Sequence, residues 1–101
     1  MQFFKNKNGL SMKTIILEIE DLDYQDDFII LNPKINSHYN LIQITKSIEN
    51  KLRENFQFNI IPLIRDNKIY YPSKKHKYQG NIKINFIWID NNNASIKFNL
   101  I

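Results

Sequence analysis

The segment SHYNLIQITKSIENKLRENF, residues 37–56, decides the fold class, because its apolar residues recur at helical spacing. Leu41, Ile44, Ile48, Leu52 and Phe56 follow one another at steps of three and four, which places them on one face of an α-helix. The pattern predicts a helix from Ser37 or His38 to Phe56. Asn36 or Ser37 supplies an oxygen for an orphan amide at its start. Glu49 stands four residues before Arg53, the spacing of a favourable surface pair. A lone amphipathic helix in a small domain packs its stripe into the core, so this face is read as core and not as a docking surface.

On either side of the helix the period drops to two. KTIILEIE (13–20) puts Ile15, Leu17 and Ile19 on one face and Glu18 and Glu20 on the other, the alternation of a half-buried strand. DLDYQDD (21–27) reads as an acidic turn region, and FIILN (28–32) as a second strand that Asn32-Pro33 ends. After the helix, FNIIPLIR (58–65) reads as a strand that Pro62 confines to an edge or a bulge. Asp66-Asn67 makes a turn into KIYY (68–71). NIKINFIWID (81–90) carries Ile82, Ile84, Phe86 and Trp88 on one face, with Ile87 and Ile89 opposing them, as in a central strand. NNN (91–93) is a tight connection, since Asn tolerates positive φ, and SIKFNLI (95–101) is the last strand.

These elements predict one α+β domain over residues 13–101, in the order β-β-α-β-β-β-β. Its sheet is mixed or antiparallel, of five to six strands, with the helix packed on it. Residues 1–12 read as a loosely ordered leader with a short strand at Phe3–Phe4, and Met12 offers a second start. The expected core is Ile15, Leu17, Ile19, Phe28, Ile30, Leu41, Ile44, Ile48, Leu52, Ile82, Ile84, Phe86 and Trp88.

Length and composition agree with a single packed domain. The 101 residues are 43% apolar and include only two Gly and three Pro, which is not the composition of a disordered chain. Cys is absent, which excludes disulfides, thiolate metal sites and cysteine nucleophiles. No apolar run approaches the roughly 18–20 residues that span a bilayer, and the N-terminus lacks the apolar stretch of a signal peptide. The expectation is a cytoplasmic protein without a membrane partner. Ile, Asn and Lys dominate, and these have A/T-rich codons, so the Lys content reflects coding bias as well as any binding surface; such a composition also fits a phage or other mobile element.

The pass for chemistry finds one basic and one acidic concentration. Arg65, Lys68, Lys74, Lys75, Lys77 and Lys83 fall between 65 and 83 against the single acid Asp66, interleaved with Tyr70, Tyr71 and Tyr78. Lys binds phosphates as a point charge and Tyr stacks on unpaired bases. Arg, the residue suited to bidentate phosphate and base contacts, is scarce. The acidic concentration is Glu18, Glu20, Asp21, Asp23, Asp26 and Asp27, which lacks the Gly of a Ca²⁺ loop and reads as a solvated turn that offers a secondary, negative surface to a basic partner. Gly9 and Gly80 are too few for a phosphate loop, and neither His38 nor His76 has a nucleophile at a recognisable spacing. No catalytic residue, metal ligand or cofactor is expected.

The segment PLIRDNKIYYPSKKHKYQGNIKINFIWI (62–89) resembles the ubiquitin-like β-grasp superfamily. There a strand, a tight turn and a short strand lead through an irregular loop to a last central strand. The Pro-containing connection LNPKINSHYNL (31–41) before the helix is similar to that of small bacterial ubiquitin-like proteins, and the resemblance extends over about 13–89. It implies a β-grasp-like fold. FNLI carries no Gly-Gly tail, so it implies a member that is not conjugated to other proteins.

The expected function is a non-enzymatic protein-interaction module: a small adaptor, accessory subunit or inhibitor that occupies another protein's surface. The alternative is a small basic nucleic-acid-binding protein using the 65–83 Lys/Tyr segment. The C-terminal strand or the Pro62 edge offers a pairing surface for a homodimer.

Overall fold

A computed structural model describes residues 1–72 and 80–101. The described residues form one helix and nine strands. In chain order these are β1 (Phe3–Asn6), β2 (Gly9–Glu18), β3 (Asp23–Gln25), β4 (Phe28–Ile30), α1 (Asn36–Asn55), β5 (Asn59–Ile60), β6 (Ile64–Arg65), β7 (Lys68–Tyr70), β8 (Asn81–Asp90) and β9 (Asn93–Leu100). The result is an α+β domain with mixed pairing. Its strands divide between two sheets, ordered β1-β2-β8-β9-β5 and β3-β4-β7-β6, where the sequence suggests one.

The long strands β2, β8 and β9 make the centre of the large sheet, all antiparallel, with β5 added parallel to β9. Two insertions bend its ladder. Ser11 pairs with Phe86 and Ile15 with Ile84, so Met12, Lys13 and Thr14 stand against the single residue Asn85. β8 in turn carries Asn85 as an extra residue against β9, because Ile84 pairs with Phe98 and Phe86 with Lys97. Side chains alternate with period two, so each insertion exchanges the faces beyond it. The inward-facing set therefore runs Leu10, Met12, then Ile15, Leu17 in β2, continued by Ile19 just beyond its end, and Ile82, Ile84, then Ile87, Ile89 in β8. Phe86 and Trp88, expected in the core, lie on the outer face instead, Phe86 half-buried and Trp88 43% exposed.

The leader expected over residues 1–12 is replaced by a hairpin. Phe3 pairs with Met12 and Lys5 with Leu10, and both Leu10 and Met12 are buried. Alternating Phe3, Leu10 and Met12 give this segment an inward face of its own, and the Phe3 ring meets Phe56 edge-on at 6.0 Å. Gly9 closes the hairpin where β2 passes β8: a Cβ there would overlap the Ile87 carbonyl and come within 3.0 Å of the Phe86 ring.

Three two-residue turns shape the hairpins, each with both central residues at positive φ: Asp26-Asp27, Asp66-Asn67 and Asn91-Asn92. That is the type I′ geometry, whose twist matches that of the strands it joins, and Asp and Asn tolerate it best after Gly. The expected strand FNIIPLIR splits at Pro62. β5 pairs in the large sheet and β6 in the small one, since Pro has no N–H to continue a ladder.

The helix buries Leu41, Ile48 and Leu52 completely, and these join Ile29 and Ile69 of the small sheet and Ile82, Ile84 and Ile87 of the large one in a single core. Its first residues differ from expectation. The N-cap is Ile35, without a side-chain cap, while Ser37 Oγ accepts the Glu20 N–H at 3.0 Å. His38 is buried and ties two loops to the helix: its Nδ1 accepts the Asn32 N–H at 2.9 Å, so Nε2 carries the hydrogen given to the Glu20 carbonyl.

Candidate functional site

The basic segment is dispersed by the fold. In the small sheet Ile29 and Ile69 point inward, so their strand neighbours point outward. Ladder partners share a face, which puts Asp23, Ile30, Lys68 and Arg65 in one outer row and Gln25, Phe28 and Tyr70 in the next. The Phe28 and Tyr70 rings stand 5.5 Å apart at 58°, and Lys68 Nζ lies 5.9 Å from the Phe28 ring centre. Tyr70 is 62% exposed. A hollow of about 530 Å³ opens between Phe28, Lys68 and Tyr70 on one side and Ile61, Pro62 and Arg65 on the other.

Arg65, Lys68 and Tyr70 are thus brought together on one outer face. Tyr71 is not part of it. Its ring turns inward, 5.3 Å from Phe98 and 6.1 Å from Tyr24, and its carbonyl accepts the Tyr24 hydroxyl, so the residue locks the two sheets to each other. Lys83 is on the large sheet, in a row with Ile16 and Asn99. Lys74, Lys75, Lys77 and Tyr78 lie outside the described residues.

The acidic run is dispersed as well. Glu18 ends β2 opposite Asn81, Glu20 and Asp21 belong to the connection that follows, and Asp23 shares the outer row with Lys68 and Arg65. Asp26 and Asp27 form the turn at the other end of the small sheet, where the Asp27 carbonyl accepts the Tyr71 N–H at 2.7 Å. Among the described residues, no three His, Cys, Asp or Glu side chains gather into a metal-binding group.

Two features escaped the pattern of the sequence. Glu49 is buried instead of forming a surface pair with Arg53: only 5% exposed, it accepts the Leu63 N–H at 2.8 Å and so straps the segment after Pro62 to the helix. Burial pushes its carboxyl above the ordinary range, while the Leu63 hydrogen bond and the charges of Arg53 and Lys46 pull the other way. It borders a second hollow of about 480 Å³ between the helix and the β6–β7 turn. The other feature is the outer face of the large sheet, where Phe4, Ile16 and Trp88 are 57%, 58% and 43% exposed. A count of residues across the two insertions is its only signal, and the insertions are invisible without the partner strands.

No family model matches the chain, and neither a curated protein nor a solved structure matches it. Among the described residues, no helix is long and apolar enough to cross a membrane.

Proposed function

We propose that the chain is a non-enzymatic protein-interaction module, an adaptor, accessory subunit or inhibitor that works in the cytoplasm by covering another protein's surface. The observation that supports this reading most directly is the outer face of the small sheet. There an exposed Tyr70 and a half-buried Phe28 flank a hollow, and one row runs from the acid Asp23 to the two cations Lys68 and Arg65. Tyr and Arg are the residues that most often anchor protein interfaces, and a rim of both signs selects a partner by complementarity. Nucleic acid, being uniformly anionic, is served poorly by a row with an acid in it.

Affinity purification from the native host with the wild-type chain, Tyr70→Ala and Lys68→Glu tests the reading. One protein retained by the wild type and lost by both variants is the expected result. Retention that ignores both substitutions, or turnover of a small molecule in place of a bound protein, would overturn it. The ubiquitin-like resemblance belongs to the same proposal, since members that are not conjugated act by binding.

A further inference from the structure

We infer that the chain pairs with a second copy of itself through the uncovered edge of β2, which joins two large sheets into one. The inference goes beyond the protein-binding role, because the small-sheet face takes no part in it. β1 covers β2 only as far as Met12, whereas β2 runs on to Glu18. The Ile19 N–H donates to the Gly80 carbonyl at 2.7 Å, so by the alternation of an antiparallel ladder Leu17 and Ile15 also bond toward β8. The amides and carbonyls of Ile16 and Glu18 therefore point the other way, into the slot beside β2. Among the described residues, no backbone hydrogen bond reaches them there.

Packing along this edge agrees. Ile15 and Leu17 face inward but are only half-buried, while their ladder partners Ile84 and Ile82 are fully buried. Ile16, on the outer side of the same edge, is 58% exposed. Where β1 stops, a hollow of about 310 Å³ opens between Met1, Phe4 and Ile15. Backbone donors and acceptors at every second residue call for an extended chain, and the side chains say which one. Exposed Lys13 stands at one end of the edge and exposed Glu18 and Glu20 at the other. A segment of one charge would be repelled at one of these ends. A second β2, antiparallel about a two-fold axis at Leu17, sets the basic end of each copy on the acidic end of the other. Ile16 then exchanges hydrogen bonds with the partner's Glu18, and Glu18 with the partner's Ile16, so the groups left unpaired in one copy are met by the other. The outer row becomes Lys83, Ile16 and the partner's Glu18, which covers Ile16 between opposite charges. The two Glu18 carboxylates are diagonal neighbours, each with the partner's Lys83 in its row.

Sedimentation of the full chain from micromolar to millimolar concentration should show the mass of one chain rise to that of two and no further, because the two-fold contact leaves neither β2 edge free. Amide hydrogen exchange gives a second readout: Ile16 and Glu18 should exchange freely in dilute solution and become protected as the dimer forms. Ile16→Pro removes an edge-facing N–H and no bond to β8, so it should weaken self-association at least about tenfold. Glu18→Lys and Lys83→Glu, which each put like charges into one row, should weaken it roughly 2- to 5-fold apiece, and the two together should restore most of the loss. Leu100→Pro, at the far edge of the sheet, and Trp88→Ala, on its outer face, should leave the dimer intact. Circular dichroism verifies folding of each variant. Several results would overturn the inference: the mass of one chain throughout, Ile16 and Glu18 amides unprotected in the dimer, or self-association that ignores Ile16→Pro. So would a dimer lost to Leu100→Pro or Trp88→Ala, or a double charge variant as weak as the single ones.

Discussion

On the outer face of the small sheet, Asp23, Ile30, Lys68 and Arg65 mix both signs of charge within one row. On the outer face of the large sheet, the row Phe4, Ser11, Phe86, Lys97 contains no acid and the next row adds Trp88. The small face offers a hollow and the large one an open floor. Both are made of strands whose other side is buried in a single core, so register decides which of their residues each face shows. In the small sheet, register is set by two tight turns with Asp or Asn at positive φ. In the large sheet it is set by insertions that exchange the faces part-way along β2 and β8. A surface's chemistry is thus decided by how its strands are aligned as much as by which residues they contain.

The largest effect that tests this contrast comes from two neighbouring residues. Ile87 is fully buried and Trp88 is 43% exposed, because the insertion at Asn85 has exchanged their faces. Truncating a buried Ile costs about 2–5 kcal/mol, so Ile87→Ala should lower unfolding free energy by that amount. Trp88→Ala should cost under about 1 kcal/mol despite removing more atoms. Urea unfolding of the two variants decides it. The opposite order would mean that Trp88 is the core residue and that the large sheet has no open aromatic face.

Gly9 gives the next effect in size. β2 and β8 approach there so closely that a Cβ would overlap the Ile87 carbonyl, which is backbone and cannot swing aside. Gly9→Ala should therefore destabilise by about 1–3 kcal/mol, the usual cost of forcing extra volume into a packed site. Loss of stability within a few tenths of a kcal/mol would show that the hairpin can shift away from β8, and with it Phe4 away from Phe86.

These two positions mark how far the sequence could be read. The helix was legible from Leu41, Ile48 and Leu52 because a single element carries its own period. The turns at Asp66-Asn67 and Asn91-Asn92 were legible because local chemistry selects them. Trp88 was misplaced because a strand's period says which residues share a face only until an insertion intervenes, and the insertion is defined by the partner strand. The same gap hid the hairpin at residues 3–18, where Leu10 and Met12 obey a parity that Ile15 and Leu17 do not share. Of the basic segment, Arg65, Lys68 and Tyr70 came together because one turn joins their strands. Tyr71 separated from them because it follows the outward Tyr70 and turns inward, and Lys83 because its strand belongs to the large sheet.

A pH effect probes the strap that holds the small-sheet face. Burial raises the Glu49 carboxyl, so the folded chain holds that proton more tightly than the unfolded chain does. Its contribution to stability is then complete below the ordinary value of 4.5 and is lost as pH rises through the raised value. Glu49→Gln removes this loss while a side-chain oxygen still accepts the Leu63 N–H. Urea midpoints of the variant should decline less than the wild type's between pH 4.5 and neutrality. A steeper decline would show that Arg53, Lys46 and the Leu63 amide outweigh burial.

The smallest effects compare the turns of the two sheets. Asp27 and Asn92 are the second central residues of their turns, at φ 65° and 67°, where Gly is favoured for its freedom at positive φ. Gly also makes the unfolded chain more flexible, which opposes the gain. The net change for either substitution should be a few tenths of a kcal/mol, and Asp27→Gly should be the more stabilising of the two. It relieves the contact of adjacent like charges at Asp26 and Asp27, while Asn92→Gly gives up the long 3.5 Å hydrogen bond from Asn92 to the Gln57 carbonyl. Melting temperatures at low salt, where the charge term is least screened, should separate them. Destabilisation by Asp27→Gly would show that its carboxylate holds the turn in a way the φ angles do not require.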